Sequence, residues 1–409
     1  MIGDSRATGA VPGSSSGVRE SPVDHLVSAG VQKRYLFTPG PTPVPPRVLA
    51  ALAEPVLHHR GPDFREVYAR CLARLADVCR TEREVLLYTA SGTGLMESAV
   101  ANLVSPGDRV LVVSAGYFGE RWADVARAYG ADVDVLAYTW GEAPAAADLE
   151  ERLDGHTVVL LTHSETSTGV VADVQALAAV GKEAGALVAV DAVSSVGAVP
   201  LDTDAWGIDV LVSGSQKALM TPPGLAFAAV SEEAWGRRGS SPRFYFDWER
   251  TRNAQAKLDA VFTPATSLVV ALDVALSLLL EAGLEAAFER HLRLGRACRA
   301  GAKAMGLELF SPDDDSAAVV TAVRAPDGID SGELVLTLRD RFGITLAPGQ
   351  GPLKGKVFRI GHIGWFDLFD ISTALAGVEL ALAEAGADIE RGVAVTAAMD
   401  AFERPLSVA

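Results

Sequence analysis

Seven short, nearly unbroken apolar runs restrict the fold of this chain more than any other feature: "EVLLYTAS", "RVLVVSAG", "DVDVLAY", "TVVLLTHS", "ALVAVDAV", "DVLVSGS" and "LAFAAVS", all between Glu84 and Ser231. Runs this short and apolar, closed by Gly, Ser or Asp, read as strands buried on both faces of a sheet. Helix-period segments lie between several of them: "GLMESAVANLV", "FGERWADVARAYG" and "VQALAAVGKEAG". The alternation predicts an α/β fold, with a large domain built on a mostly parallel seven-stranded sheet covered by helices. Such a sheet holds ligands at the carboxyl ends of its strands, so sites are expected directly after the runs.

A long helical pattern follows at about 266–306. The segments "AAVVTAVRAP", "GELVLTLRDRFGITLAPG", "KVFRIGHIG" and "DISTALAGVELALAEAG" then predict a small C-terminal α/β domain ordered strand, helix, strand, strand, helix. The expected division is a disordered tail over 1–33, an arm and large domain over 34–290, a small domain over 291–395 and a C-terminal tail over 396–409. The Gly- and Ser-rich start lacks the apolar stretch of a secretory signal.

A net charge of -16 over 409 residues argues against nucleic acid and anionic membranes as partners, because a polyanion would be repelled over most of the surface. The most hydrophobic segment, "SLVVALDVALSLLLEAG", is interrupted by Asp273 and Glu281 and is too short to span a bilayer. Cys71, Cys79 and Cys298 form neither a disulfide framework nor a metal-ligand spacing. No metal is expected, and a cytoplasmic location is the economical inference.

Four places just after strands could carry chemistry. In "TASGTGLMESA", Ser91, Gly92, Thr93 and Gly94 join a strand to a helix. Glycines there let a phosphate approach the backbone and the amides of a helix N-terminus, although an ordinary tight turn has the same composition. Asp191 ends "LVAVD", where a buried carboxylate needs either a cationic partner or a turn to cap. Lys217, in "VLVSGSQKALMTPPG", stands among small residues and is the only charge between Asp209 and Glu232. A lysine partly removed from water becomes an amine able to attack a carbonyl. An Asp and a Lys at neighbouring strand ends match the needs of a pyridine aldehyde, whose ring nitrogen wants an anion and whose carbonyl carbon wants an amine. The fourth is Arg359 in "KVFRIGHIG", able to fork a carboxylate or to sit on an edge strand as a surface charge.

Together these residues resemble the class V aminotransferases of the pyridoxal-phosphate fold type I superfamily, particularly the alanine-glyoxylate and serine-pyruvate group. The resemblance runs from "YLFTPGPTPVPPRVL" to "KVFRIGHIG" and is densest in "DAVSSVGAVPLDTDAWGIDVLVSGSQKALMTPPG". It implies pyridoxal 5'-phosphate as cofactor, Lys217 as the residue that forms the Schiff base, and Asp191 as the partner of the pyridine nitrogen. It also implies that Thr93, Gly94 and the amide of Leu95 hold the phosphate, with Gln216 beside them. Phe118 would stack on the ring where many relatives have tryptophan, and Thr166 would lie near the cofactor. His163 and Glu165 would support these groups, and Arg359 would grip the substrate carboxylate. Thr263 and Thr266 match positions that reach the phosphate of a neighbouring subunit, implying a homodimer with shared sites.

Structural alternatives stand beside several of these roles: a core ring for Phe118, a turn cap for Thr166, and an N-cap for Thr263 or Thr266. The expected reaction is a ping-pong transfer of an amino group from a small L-amino acid of the alanine, serine or aspartate type to a 2-oxo acid such as glyoxylate or pyruvate. The rivals are a lyase or decarboxylase on the same fold and a non-catalytic subunit. A desulfurase would need a mobile thiol downstream of the lysine, and Cys298 lies in a helical pattern instead. His58, His59 and Arg60 fit either an anionic-substrate pocket or a structural loop.

Overall fold

Each apolar run becomes a strand of one sheet in the computed structural model, which describes residues 32–314 and 317–405. The strands are β1 (Val85–Tyr88), β2 (Arg109–Ser114), β3 (Asp132–Ala137), β4 (Val158–Thr162), β5 (Leu187–Asp191), β6 (Val210–Gly214) and β7 (Ala226–Val230). Their spatial order is β1-β7-β6-β5-β4-β2-β3. Only β7 is antiparallel to its neighbours, β1 and β6. Successive residues serve opposite faces: Leu111 and Val113 pack into one core cluster, Val110 and Val112 into the other. That two-sided burial explains why most of these runs are apolar throughout, whereas the edge strand β3, half-buried with exposed ends, alternates Asp and Val.

Because β1, β2, β4, β5 and β6 all run in one direction, their carboxyl ends share an edge. Register sets Thr162 opposite Asp191 and Asp191 opposite Val212, so the loops after three adjacent strands converge. After β1 comes α1 (Gly92–Leu103), capped by the Ser91 hydroxyl, which accepts from the Gly94 amide at 3.2 Å. After β2 comes α2 (Tyr117–Ala128).

The helical pattern at 266–306 is two helices, α3 (Thr266–Ala282) and α4 (Leu284–Ala304), meeting at an 87° bend. Gly283, at φ 87°, makes the break in a conformation that side chains disfavour. Helix α4 runs unbroken across 290/291, where the sequence predicts a division. Beyond it, β8 (Val320–Arg324), β9 (Ala347–Pro348) and β10 (Val357–Gly361) form a three-stranded sheet backed by α5 (Leu368–Glu384).

Residues 396–403 of the predicted C-terminal tail are helical: α6 (Val393–Glu403) buries Ala394 and Ala398 in the same core as α4. Its small residues permit close helix packing. Residues 406–409, and 1–31 of the predicted N-terminal tail, lie outside the described residues. Among the described residues, no single helix is long and apolar enough to cross a membrane.

The arm preceding β1 ties the two sheets together. Tyr35–Leu36 pairs in parallel with Ile344–Thr345, and the Gly361 amide donates to the Phe37 carbonyl at 2.7 Å. A few residues on, the Thr42 amide donates to the Gln216 carbonyl at 3.2 Å and its hydroxyl to the Lys217 carbonyl at 3.0 Å.

Three imidazoles are buried in neutral form. Burial pushes His163 down to about 4, and His291 and His362 down to about 3, with Arg290 adding to the effect on His291 and Arg299 to that on His362. In the unfolded chain each titrates near 6.5. Their contribution to stability is therefore complete above pH 6.5 and is lost as the pH falls toward the folded values, since the unfolded chain gains protons first. His362, bonded to Thr321 and Ala318, isolates the effect. In His362→Gln the drop in unfolding free energy between pH 7 and pH 5 should be smaller than wild type by about 2 kcal/mol. Urea titrations at the two pH values measure it, and an unchanged drop would contradict the assignment.

Candidate active site

Where the loops after β1, β2, β5 and β6 converge, a cavity of about 250 Å³ opens. It is lined by Ser91, Gly92 and Thr93, by Phe118 and Arg121, by Ser164, by Asp191, Val193 and Ser194, by Gln216 and Lys217, and by Gly40 and Pro41 of the arm, with Met96 and Pro223 completing it. A larger cavity of about 420 Å³, among Arg296, Arg299, Lys303 and Arg404, lies on the α4–α6 side, away from these strand ends.

Lys217 leaves β6 through a turn that the chain fixes from several sides. The Ser215 hydroxyl donates to the Pro222 carbonyl at 2.8 Å, and the Met220 amide donates to the Lys217 carbonyl at 3.0 Å. The side chain is only 9% exposed, and Nζ donates to the Pro39 carbonyl at 2.5 Å. Its stem passes so close to Gly40 that a Cβ there would sit 2.4 Å from Cε. Gly40, at φ 138°, is thus needed both for its conformation and for the space it leaves. Burial and then the Arg359 charge lower the Lys217 pKa to about 8, against the opposing pull of Asp191 and Glu165. A fraction of the side chain is consequently a free amine near neutral pH.

Asp191 ends β5. One carboxylate oxygen accepts from the Val193 amide at 2.9 Å, and the group is 5% exposed. Burial pushes its pKa up to about 6, with Glu165 reinforcing the shift and the Val193 bond, Lys217 and Arg121 opposing it. The turn-cap alternative is thus partly realised through Val193, yet one bond leaves most of the desolvation cost uncompensated. A cation at the cavity face of this carboxylate would remove it.

Glu165, expected only to support the site, holds several parts of it in place. Its Oε2 accepts from the Phe118 amide at 2.9 Å and the Gly119 amide at 3.1 Å, the free N–H groups at the start of α2. Its Oε1 accepts from the Ser167 hydroxyl at 2.6 Å and amide at 3.1 Å. Burial raises its pKa while these four donors lower it. The carboxylate therefore fixes the entry of the helix that carries Phe118 and Arg121. Gly116 permits this approach, since a Cβ there would meet both Ser167 and Glu165 at less than 3 Å.

Arg359, on β10, is 6% exposed and aims its guanidinium at two carbonyls: Nη1 donates to Thr166 at 2.7 Å, Nη2 to Pro348 at 2.9 Å, and Nε to Pro348 at 3.2 Å. The surface-charge alternative fails on burial. Burial lowers its pKa to about 10, leaving it charged at neutral pH. The guanidinium does not line the cavity, but it is close enough to be the largest charge effect on Lys217.

The remaining candidates divide. Phe118 and Gln216 line the cavity; Thr166 is buried behind it and serves Arg359 through its carbonyl. In the Gly-rich turn the lining residues are Ser91, Gly92 and Thr93, whereas Gly94 and Leu95 do not line the cavity. The Leu95 amide donates to the Ser91 carbonyl at 3.3 Å and its side chain is core, so the open amides lie further toward the helix start than the sequence predicts. Thr263 is exposed and Thr266 opens α3, both outside this cavity, and neither hydroxyl caps the helix. His58 and Arg60 are exposed on a loop before Gly61, with Arg60 3.9 Å from Asp259.

Sequence reading missed Arg121, Ser164, Val193 and Ser194. Arg121 follows Phe118 by three residues, so helical spacing alone could have placed the two side by side. Ser164 Oγ and Gln216 Oε1 are buried on the cavity without a hydrogen-bond partner. Orphaned polar atoms, an unsatisfied carboxylate, an amine of lowered pKa and open helix amides together fit an aromatic cation bearing an aldehyde and a phosphate.

Comparison with known proteins agrees. The profile of the family described as aminotransferase class-V matches residues 34–355. The chain is 44% identical over 362 residues to the soluble hydrogenase small subunit of Synechococcus sp. (strain PCC 6716), covering 87% of this chain and 94% of that one. It is 36% identical over 394 residues to serine–glyoxylate aminotransferase of Methylorubrum extorquens, covering 92% and 98%. The crystal structure of ureidoglycine–glyoxylate aminotransferase from Bacillus subtilis superimposes with a TM-score of 0.87 at 34% identity, covering 91% of this chain and 98% of that one.

Proposed function

This chain belongs to the aminotransferase class-V family and is a pyridoxal-phosphate-dependent transaminase, and we propose that its Lys217 cavity moves the amino group of a small L-amino acid, of the alanine, serine or aspartate type, to glyoxylate or a similar 2-oxo acid. The observation that carries this reading is the pairing of a buried amine of lowered pKa, Lys217, with a buried, under-compensated carboxylate, Asp191, across one cavity.

Within that reading Ser91, Gly92 and Thr93 would hold the phosphate, with Gln216 beside them, and Phe118 and Val193 would contact the ring. Asp191 would keep a proton on the ring nitrogen. Lys217 Nζ would hold the aldehyde end of the cofactor and, as a free amine, would take the proton from the substrate α-carbon. When bound, pyridoxal phosphate supplies the electron sink that receives the electron pair left on that carbon. The Pro39 carbonyl, already bonded to Nζ, holds the freed amine over the cavity. Arg359, its fork oriented by Thr166 and Pro348, receives the substrate carboxylate on its remaining N–H groups.

Thr263 is exposed beside Tyr245 and Phe262, whose rings stack at 4.9 Å, and beside Phe244, which is 65% exposed. This apolar surface around an exposed hydroxyl supports a homodimer in which Thr263 and Thr266 reach the partner's phosphate. Three buried free cysteines fit a cytoplasmic setting.

The test is a half-reaction screen. The purified holoenzyme is mixed with single amino acids and its visible cofactor band is followed. Bleaching by a small donor and recovery with glyoxylate are expected. A spectrum inert to every donor would sink the transaminase and favour a non-catalytic role, such as a subunit function of the kind a relative's name records. In the same assay Arg359→Ala should raise KM for the amino acid about 10- to 100-fold, with a smaller change in kcat. A pure kcat loss would assign Arg359 to something other than carboxylate binding.

A further inference from the structure

We propose that Arg121 is the fixed cation of the phosphate subsite, a role that rests on the cofactor reading above and adds to it a residue from a different loop. Arg121 and Lys217 are the two cationic residues lining the cavity among the described residues. Lys217 is committed to the aldehyde end, and a phosphate dianion removed from water requires a counter-charge that the helix amides supply only in part.

Arg121 reaches that end. Its Nη1 donates to Thr93 Oγ1 at 2.7 Å, within the same turn as Ser91 and Gly92 at the N-terminus of α1. Its Cζ lies 4.8 Å from the Phe118 ring centroid and 5.1 Å from that of Tyr117, which fixes the side chain from below. Among the described residues no carboxylate forms an ion pair with it. An arginine lining a cavity, held by a hydroxyl and two rings and ion-paired with no carboxylate among the described residues, is arranged for an anion that arrives with the ligand. The hydroxyl of Ser164, 4% exposed, faces the same cavity without a partner, as expected where a polar ligand completes the bonding.

The alternative is that Arg121 merely braces Phe118, and the two can be separated by removing the phosphate from the probe. The full-length protein, stripped of cofactor, is titrated with pyridoxal 5'-phosphate and with pyridoxal, following the visible absorbance each develops. In Arg121→Gln the affinity for pyridoxal 5'-phosphate should fall on the order of 10- to 100-fold, while that for pyridoxal stays within about twofold. Arg121→Lys should recover part of the loss, because it restores a charge without the fork. Inorganic phosphate should compete with pyridoxal 5'-phosphate for wild type and less effectively for Arg121→Gln. Equal losses for the two vitamers, or no loss for either, would overturn the assignment while leaving the cofactor reading intact. Failure of the wild-type protein to take up either vitamer would instead overturn both.

Discussion

Lys217→Ala should reduce transamination by about 10⁴-fold, the upper end of what a positioned proton-transfer group contributes, because two tasks fall on one nitrogen. Among the described residues this amine is the only lysine lining the cavity, and it is prepared for both tasks by its surroundings. Burial and the Arg359 charge bring its pKa to about 8, so it can attack as a neutral amine and later carry a proton. The Pro39 carbonyl and Gly40 fix where it stands. Alanine leaves the strand and turn hydrogen bonds of β6 untouched, since these run through the backbone and Ser215. The variant should therefore fold and retain the Asp191 end of the cavity. Two measurements check it: steady-state turnover, and borohydride trapping followed by peptide mapping, which should label Lys217 in wild type and no lysine in the variant. Turnover within tenfold of wild type would remove Lys217 from the chemistry.

The large sheet was legible because burial on both faces leaves an unambiguous mark, an apolar run ended by Gly, Ser or Asp. The same logic exposed Asp191 and Lys217, charges placed where a strand should simply stop. Residues whose importance comes from distant partners left no such mark. Nothing in "THSETSTGVV" announces that the Glu165 carboxylate caps α2 through Phe118 and Gly119, 47 and 46 residues away. Gly40 reads as one glycine in a proline-rich arm until the arm is seen crossing the lysine. The Gly-rich turn after β1 was legible, but which of its residues line the cavity was not, because that depends on where the helix starts, and composition fixes the start only to within a residue or two. The break at Gly283 was visible as a lone glycine, but the apolar periodicity on both sides hid the turn.

Asp191→Asn should separate catalysis from folding, and in opposite directions. The amide oxygen can keep the bond from the Val193 amide, so the turn after β5 is preserved and only the charge is lost. Without a carboxylate to keep the ring nitrogen protonated, kcat should fall by about 10³-fold, the scale of losing one preorganised electrostatic partner. The stability of the cofactor-free protein should move the other way. In the wild type the carboxyl is raised from 3.8 to about 6 chiefly by burial. A group raised in the folded state contributes stability below its unfolded pKa and loses it as the pH rises through the folded value. Above pH 6 the wild type thus carries a desolvated charge at a cost of about 3 kcal/mol, which a neutral amide escapes. At pH 7.5 cofactor-free Asp191→Asn should resist urea better than cofactor-free wild type, and the advantage should shrink toward pH 4. In the holoenzymes the order should reverse, because the ring cation compensates the carboxylate and leaves the amide with nothing to offset. A variant less stable than wild type without cofactor at pH 7.5 would show that Asp191 is already satisfied by its own chain. The case for a cationic ring at this position would then fail.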